Sequence, residues 1–162
     1  MIKSIDFFKN PPDDLSKELL GKIFCRKMDD GFVMRCRITE IEAYSGDEQF
    51  CYGYGGKKLK NKSKVFYSVG KLCVYKSMLM ISCLDEIGPD NILIRGLDCY
   101  VGPKKCAEAL DVRNEMNGID LTVSDMIWLE DDRVKVDCKK DKRVNILDKK
   151  KRNFRIKTIV FE

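Results

Sequence analysis

The chain has 162 residues, 44% of them hydrophobic and 35% charged, with a net charge of +5 from 31 Lys/Arg against 26 Asp/Glu. That is enough for one domain with a real core and short for two, and the mild positive balance favours a polyanionic partner. Histidine is absent, which excludes Ser-His-Asp and Cys-His catalysis and most zinc sites, so enzyme chemistry here must rest on carboxylates, lysine, tyrosine or cysteine.

In chain order, MIKSIDFFKNPPDD turns polar too early for a secretory leader. A first helix is expected over 13–20, capped by Asp13 or Asp14, striped by Leu15, Leu19 and Leu20, and ended by Gly21. KIFCRKM and FVMRCRITEIEAY then flank Asp29-Asp30-Gly31, a hairpin signal. Residues 53–64, GYGGKKLKNKSK, form a glycine-rich and then lysine-rich loop, and residues 71–83 and 90–95 are strand-like. Gly102-Pro103 opens a second helix with Cys106, Ala107 and Leu110 on one face. MIWLE, RVNIL and NFRIKTIVF read as short strands around turns. The expected class is α+β: one domain over 1–162, built on a mostly antiparallel curved β-sheet flanked by a few helices.

No apolar run reaches the roughly 18–20 residues of a membrane helix, so an intracellular protein without membrane contact is expected. The eight cysteines include no CxxC pair, and several sit in strand-like runs; they read as reduced, mostly buried small hydrophobes.

Three constellations carry chemical meaning. Strand alternation puts Met34, Cys36, Ile38, Glu40, Glu42 and Tyr44 on one side, so an apolar face ends in two acids and an aromatic just before Gly46. Acids at such a strand end suit a cleft, and they equally suit a wet edge paired with basic residues. Five lysines fall within 57–64 and nine Lys/Arg between Lys139 and Arg155, a pattern that fits phosphate neutralisation as well as a solvated surface. Tyr44, Tyr52, Tyr54, Tyr67 and Tyr75 cluster beside the lysine loop, where their rings fit base stacking or core packing. An acid, tyrosines and basic loops together suggest chemistry on an extruded nucleobase, which needs no metal: a carboxylate can deprotonate water and stabilise a cationic sugar.

These residues resemble the alkyladenine (3-methyladenine) DNA glycosylases over roughly residues 5–156. DFFKNPPDDLSKELLGKIFCRK is similar to that family's phenylalanine pair, leucine-rich helix and LLGK turn. ITEIEAYSG is similar to its signature strand, ILIRG to a later strand ending in arginine, and GPKKCAEAL to a Gly-Pro-x-Lys helix start; IWLE and RVNI resemble two more segments. The resemblance implies a monofunctional DNA repair glycosylase acting on double-stranded DNA with alkylated purines, without cofactor or metal. A monomer is expected, nuclear in a eukaryote and otherwise on the chromosome in the cytoplasm.

By position, the resemblance implies Glu42 as the general base for water, with Arg95 holding that water and the acid. It adds a main-chain carbonyl near Ile146, Tyr44 and Tyr75 sandwiching the flipped base, and Lys57, Lys58, Lys60 and Asn61 on DNA phosphates. It also selects Glu42 over Glu40. Four departures stand out. Tyr52 takes the place of a pocket histidine. Met78 takes that of a tyrosine wedge filling the space left by the base. Asp85 falls where an asparagine is expected in the pocket, and Asn145 replaces a glycine. The departures fit drift at secondary sites, altered base selectivity, or a catalytically weakened member that acts as a damaged-DNA-binding module.

Overall fold

The computed structural model describes the chain apart from residues 53, 55–62, 84–88 and 161–162. Among the described residues it is an α+β fold with two short α-helices and nine antiparallel strands in a curled sheet. Helix α1 (Pro12–Leu19) starts at its proline, whose fixed φ and missing N–H suit a first turn. The expected Asp13 or Asp14 cap is therefore replaced: both acids lie inside the first turn, and Asp13 instead accepts a hydrogen bond from Arg152 Nε at 3.0 Å. Leu15 and Leu19 are buried on its inner face.

Strands β1 (Ile23–Lys27) and β2 (Val33–Tyr44) form the expected hairpin, with Gly31 at φ +84 and Phe32 N–H bonded to Asp30 Oδ1. Then come β3 (Leu72–Tyr75), β4 (Met78–Ser82), β5 (Asn91–Leu97) and β6 (Tyr100–Val101). Helix α2 (Pro103–Ala109) follows Gly102 as foreseen, and β7 (Ile127–Glu130), β8 (Lys135–Asp141) and β9 (Asn153–Val160) complete the chain. The main path runs β3-β4-β5-β2-β1-β7, with β6 on β5, β9 on β2 and β8 outermost on β9. MIWLE and NFRIKTIVF supply β7 and β9, whereas RVNIL is a loop between β8 and β9. Its Arg143 is buried and charged, and its Val144 N–H is spent on a side chain, so it has no strand ladder to join.

The expected single face of β2 is also corrected. Cys36 and Ile38 belong to the main core, but so do Ile41 and Ala43, a spacing that breaks the two-residue period. The β2–β5 register slips between Ile38 and Ile41, and this β-bulge moves Glu40, Glu42 and Tyr44 to the opposite face. Gly96 of β5 pairs with Glu40 at that point. A Cβ on Gly96 would lie 2.5 Å from Thr39 Oγ1 and 3.1 Å from the Glu40 main-chain nitrogen, so only glycine lets β5 run this close to the bulge. Strands β3–β5 are buried on both faces. Leu72, Leu79, Ile81, Ile92 and Ile94 face the main core, while Cys73, Met78, Met80 and Leu93 face a second cluster holding Tyr44, Cys51 and Phe66. That second face carries the site.

Candidate active site

The bulge delivers two buried carboxylates side by side: Glu40 is 8% exposed and Glu42 1%. Buried carboxylates are costly unless donors surround them, and here donors arrive from β5, β9, the β8–β9 loop and β2 itself. Arg95, on β5, places Nε 3.2 Å from Glu40 Oε1 and 3.5 Å from Glu42 Oε1. Asn153, at the start of β9, donates from Nδ2 to Glu40 Oε1 at 2.7 Å and to Glu42 Oε1 at 3.3 Å. Its Oδ1 accepts from Arg155 Nε at 3.1 Å, and the same Nε lies 3.2 Å from Glu40 Oε1. Val144 N–H donates to Glu42 Oε1 at 2.6 Å, and Tyr44 O–H donates to Glu42 Oε2 at 2.8 Å. Glu42 Oε1 is thus committed to positioning bonds. Oε2 carries one bond and retains acceptor capacity.

Three tyrosines pack beside the acids. Tyr52 contacts both partners, with ring centroids 6.5 Å from Tyr44 and 4.8 Å from Tyr75. One face of Tyr44 is covered by the Arg143 guanidinium, 4.7 Å from its centroid. Burial, followed by the nearby Glu42 charge and its hydrogen bond, pushes the Tyr44 hydroxyl well above its ordinary range, so it stays a proton donor to Glu42. Burial also raises Tyr52, with Tyr75 and Glu42 adding to the effect.

A second polar hub supports the first. Glu48 lies in the loop after β2 and takes Arg143 Nη1 at 2.8 Å, Lys150 Nζ at 2.9 Å and Arg152 Nη1 at 2.9 Å. Burial alone would raise its carboxyl; hydrogen bonds from Arg143 and Lys150, with the Arg152 charge, outweigh that and hold it down at about 2. Arg143 also donates to Ala43 O at 3.0 Å and to Asp148, which fixes the residue next to Val144.

The structure brings together Glu42, Arg95, Tyr44, Tyr52 and Tyr75. Ile146 is half-buried in the same loop, two residues after Val144, whose N–H donates to Glu42 Oε1. Met78, expected to protrude as a wedge, is 9% exposed and packs in the tyrosine cluster, its sulfur 4.0 Å from Tyr52 Oη. Lys57, Lys58, Lys60, Asn61 and Asp85 lie outside the described residues. Sequence reasoning missed Asn153 and Glu48. No local signal marks Asn153, which opens a strand of mixed polar and apolar residues, and none separates Glu48 from the neighbouring Asp47.

A buried glutamate held by several donors beside a cluster of tilted tyrosine rings on a curled antiparallel sheet defines the class, a carboxylate-based site with an aromatic wall. The sequence matches the methylpurine-DNA glycosylase family over residues 6–101. A Chlorobium phaeobacteroides (strain DSM 266 / SMG 266 / 2430) protein bearing the name 3-methyladenine DNA glycosylase is 33% identical over 140 residues, covering 71% of each chain. The DNA-3-methyladenine glycosylase of Mus musculus is 27% identical over 157 residues, covering 77% of this chain and 47% of that protein. An Encephalitozoon cuniculi relative, named as a DNA-3-methyladenine glycosylase, is 30% identical over 149 residues, with coverage of 76% and 71%. The chain belongs to the methylpurine-DNA glycosylase family, whose members hydrolyse N-glycosyl bonds in DNA.

Proposed function

We propose that this chain is a monofunctional repair glycosylase that takes alkylated purines, such as 3-methyladenine, out of double-stranded DNA and hydrolyses their N-glycosidic bond. The carrying observation is the Glu42 carboxylate, buried to 1% yet held by Val144, Asn153, Arg95 and Tyr44 beside the tyrosine pocket. The target nucleotide flips out of the stack, and Tyr44 and Tyr75 receive its base, with Tyr52 swinging to admit it. The aromatic faces favour a cationic alkylated purine over a neutral one. Glu42 Oε2 accepts a proton from a water molecule, whose oxygen attacks C1′ of the sugar. The N-glycosidic bond breaks, its electron pair stays with the departing base, and the product is an abasic site. Arg95 holds Glu42 and the water. The cation on Glu42 is this guanidinium and not a lysine amine, which supports hydrolysis at Glu42 over Schiff-base chemistry.

The test is single-turnover release of 3-methyladenine from a defined duplex. Glu42→Gln should lower the rate by about 10²–10⁴-fold, the range of a general base, and leave binding to an abasic-site analogue largely intact. Undiminished release would remove Glu42 from the mechanism. A binding module without hydrolysis is the second reading, favoured by Tyr52 lying in contact with both expected stacking rings. Heating methylated DNA in alkali after incubation with the protein separates the two, since strands break only where bases were released.

A further inference from the structure

Leu147 is 99% exposed, the largest exposure among the described large hydrophobic residues. It does not sit on a frayed end. The loop between β8 and β9 is fastened on both sides of it: Arg143 is buried against Ala43 O and Glu48, Val144 N–H is bound to Glu42, and Asp148 accepts from Arg143. Between these anchors Asn145 holds a left-handed φ of +59, which turns the chain outward. Lys142, Lys149 and Lys151 are exposed on either side of the tip. The result is an apolar point in a cationic collar, three residues from the main-chain donor of the proposed general base. Not every exposed apolar residue has this placement. Phe32, for example, sits at the opposite end of β2 from Glu42, ten residues along the strand and so about 30 Å away. Met78, the expected wedge, is buried.

We propose that Leu147 is a DNA-inserting residue: it enters the base stack beside the extruded nucleotide while Lys142, Lys149 and Lys151 hold the flanking phosphates. Apolar wedges between base steps accompany nucleotide extrusion and bending elsewhere. The proposal rests on the glycosylase reading for its substrate and adds which loop distorts the duplex. Its coupling to Val144 makes the same loop carry the insertion and the positioning of Glu42, so a loop seated on DNA keeps the acid aligned.

The experiment uses the full chain and a duplex carrying a tetrahydrofuran abasic analogue with a neighbouring 2-aminopurine. Wild type should raise the 2-aminopurine fluorescence by unstacking it. Leu147→Ser should abolish most of that rise and cut the preference for the analogue over undamaged duplex about tenfold, the scale of one buried aliphatic side chain. Leu147→Met should retain both, and the melting temperature should not move, because the side chain touches solvent. An unchanged preference in Leu147→Ser, or a loss seen in Met78→Gly alone, would overturn the proposal. Release of 3-methyladenine is read in parallel. Wild type that prefers the analogue and loses that preference in Leu147→Ser, yet releases no base, supports the insertion and defeats the hydrolytic reading instead.

Discussion

Asn153 shows how one side chain decides whether two acids can share a site. Its amide donates to both Glu40 and Glu42, and its carbonyl oxygen is held by Arg155. Without it, two carboxylates buried at 8% and 1% lose a common donor. A hydrogen bond to a charged group contributes about 1.5–3 kcal/mol, and each 1.36 kcal/mol is tenfold in rate. Asn153→Ala should therefore slow single-turnover base release about 10–100-fold while leaving affinity for an abasic analogue within a few-fold. Asn153→Asp should be slower still, because it puts a third carboxylate beside the first two. Equal rates for wild type and both variants would mean that Arg95 and Val144 alone orient Glu42.

The elements around the site are joined by the second hub. Glu48, on the loop after β2, ties Arg143, Lys150 and Arg152 of the β8–β9 connection. Its folded carboxyl sits at about 2, below the ordinary value of 4.5. A depressed carboxyl stabilises the fold above the unfolded value and loses that contribution as pH falls through the folded one. The window is therefore about pH 4.5 down to about 2, and the contribution is on the order of 3 kcal/mol. Glu48→Gln should be less stable than wild type in denaturant melts at pH 7, with the gap closing across that window; a constant gap would show that the charge on Glu48 is not what joins the loops. How much was legible in the sequence follows the same division between local and distant causes. The DDG hairpin was readable because Gly31 takes a positive φ, and the Gly102-Pro103 helix start was readable from proline chemistry. The β3–β4 turn was not, since Lys76 and Ser77 take φ values of 49 and 58 without glycine or asparagine to signal them. The β2 bulge is marked in the sequence by two consecutive polar residues, Thr39 and Glu40, between Ile38 and Ile41, but strict alternation passes over that mark, and the glycine that permits the bulge lies on β5. Alternation therefore put Glu42 on the right kind of strand but assigned it to the wrong partners. Asn153 acts across 111–113 residues of chain, a distance no local motif spans.

On the scale of the whole molecule, charge is segregated. Residues 133–157 hold twelve Lys/Arg against three Asp/Glu in a chain whose total is +5, so the remainder is net acidic. Of those twelve only Arg143 and Arg152 are buried. The exposed ten lie on the β8–β9 ribbon, on the loop that carries Leu147 and, for Arg133, just before β8, so the described residues present a cationic edge beside the site. A duplex drawn to that edge arrives with its phosphates next to the Glu42 pocket, and each phosphate neutralised releases condensed counterions. Affinity for undamaged DNA should accordingly fall linearly on a log–log plot against salt. Replacing Lys142, Lys149 and Lys151 together by Gln should reduce the magnitude of that slope by about 2–3, at roughly 0.9 per lost phosphate contact. Because these side chains are exposed, the melting temperature should stay within about a degree or two of wild type. A slope that did not change would place the DNA on another face and separate the cationic edge from the site it borders.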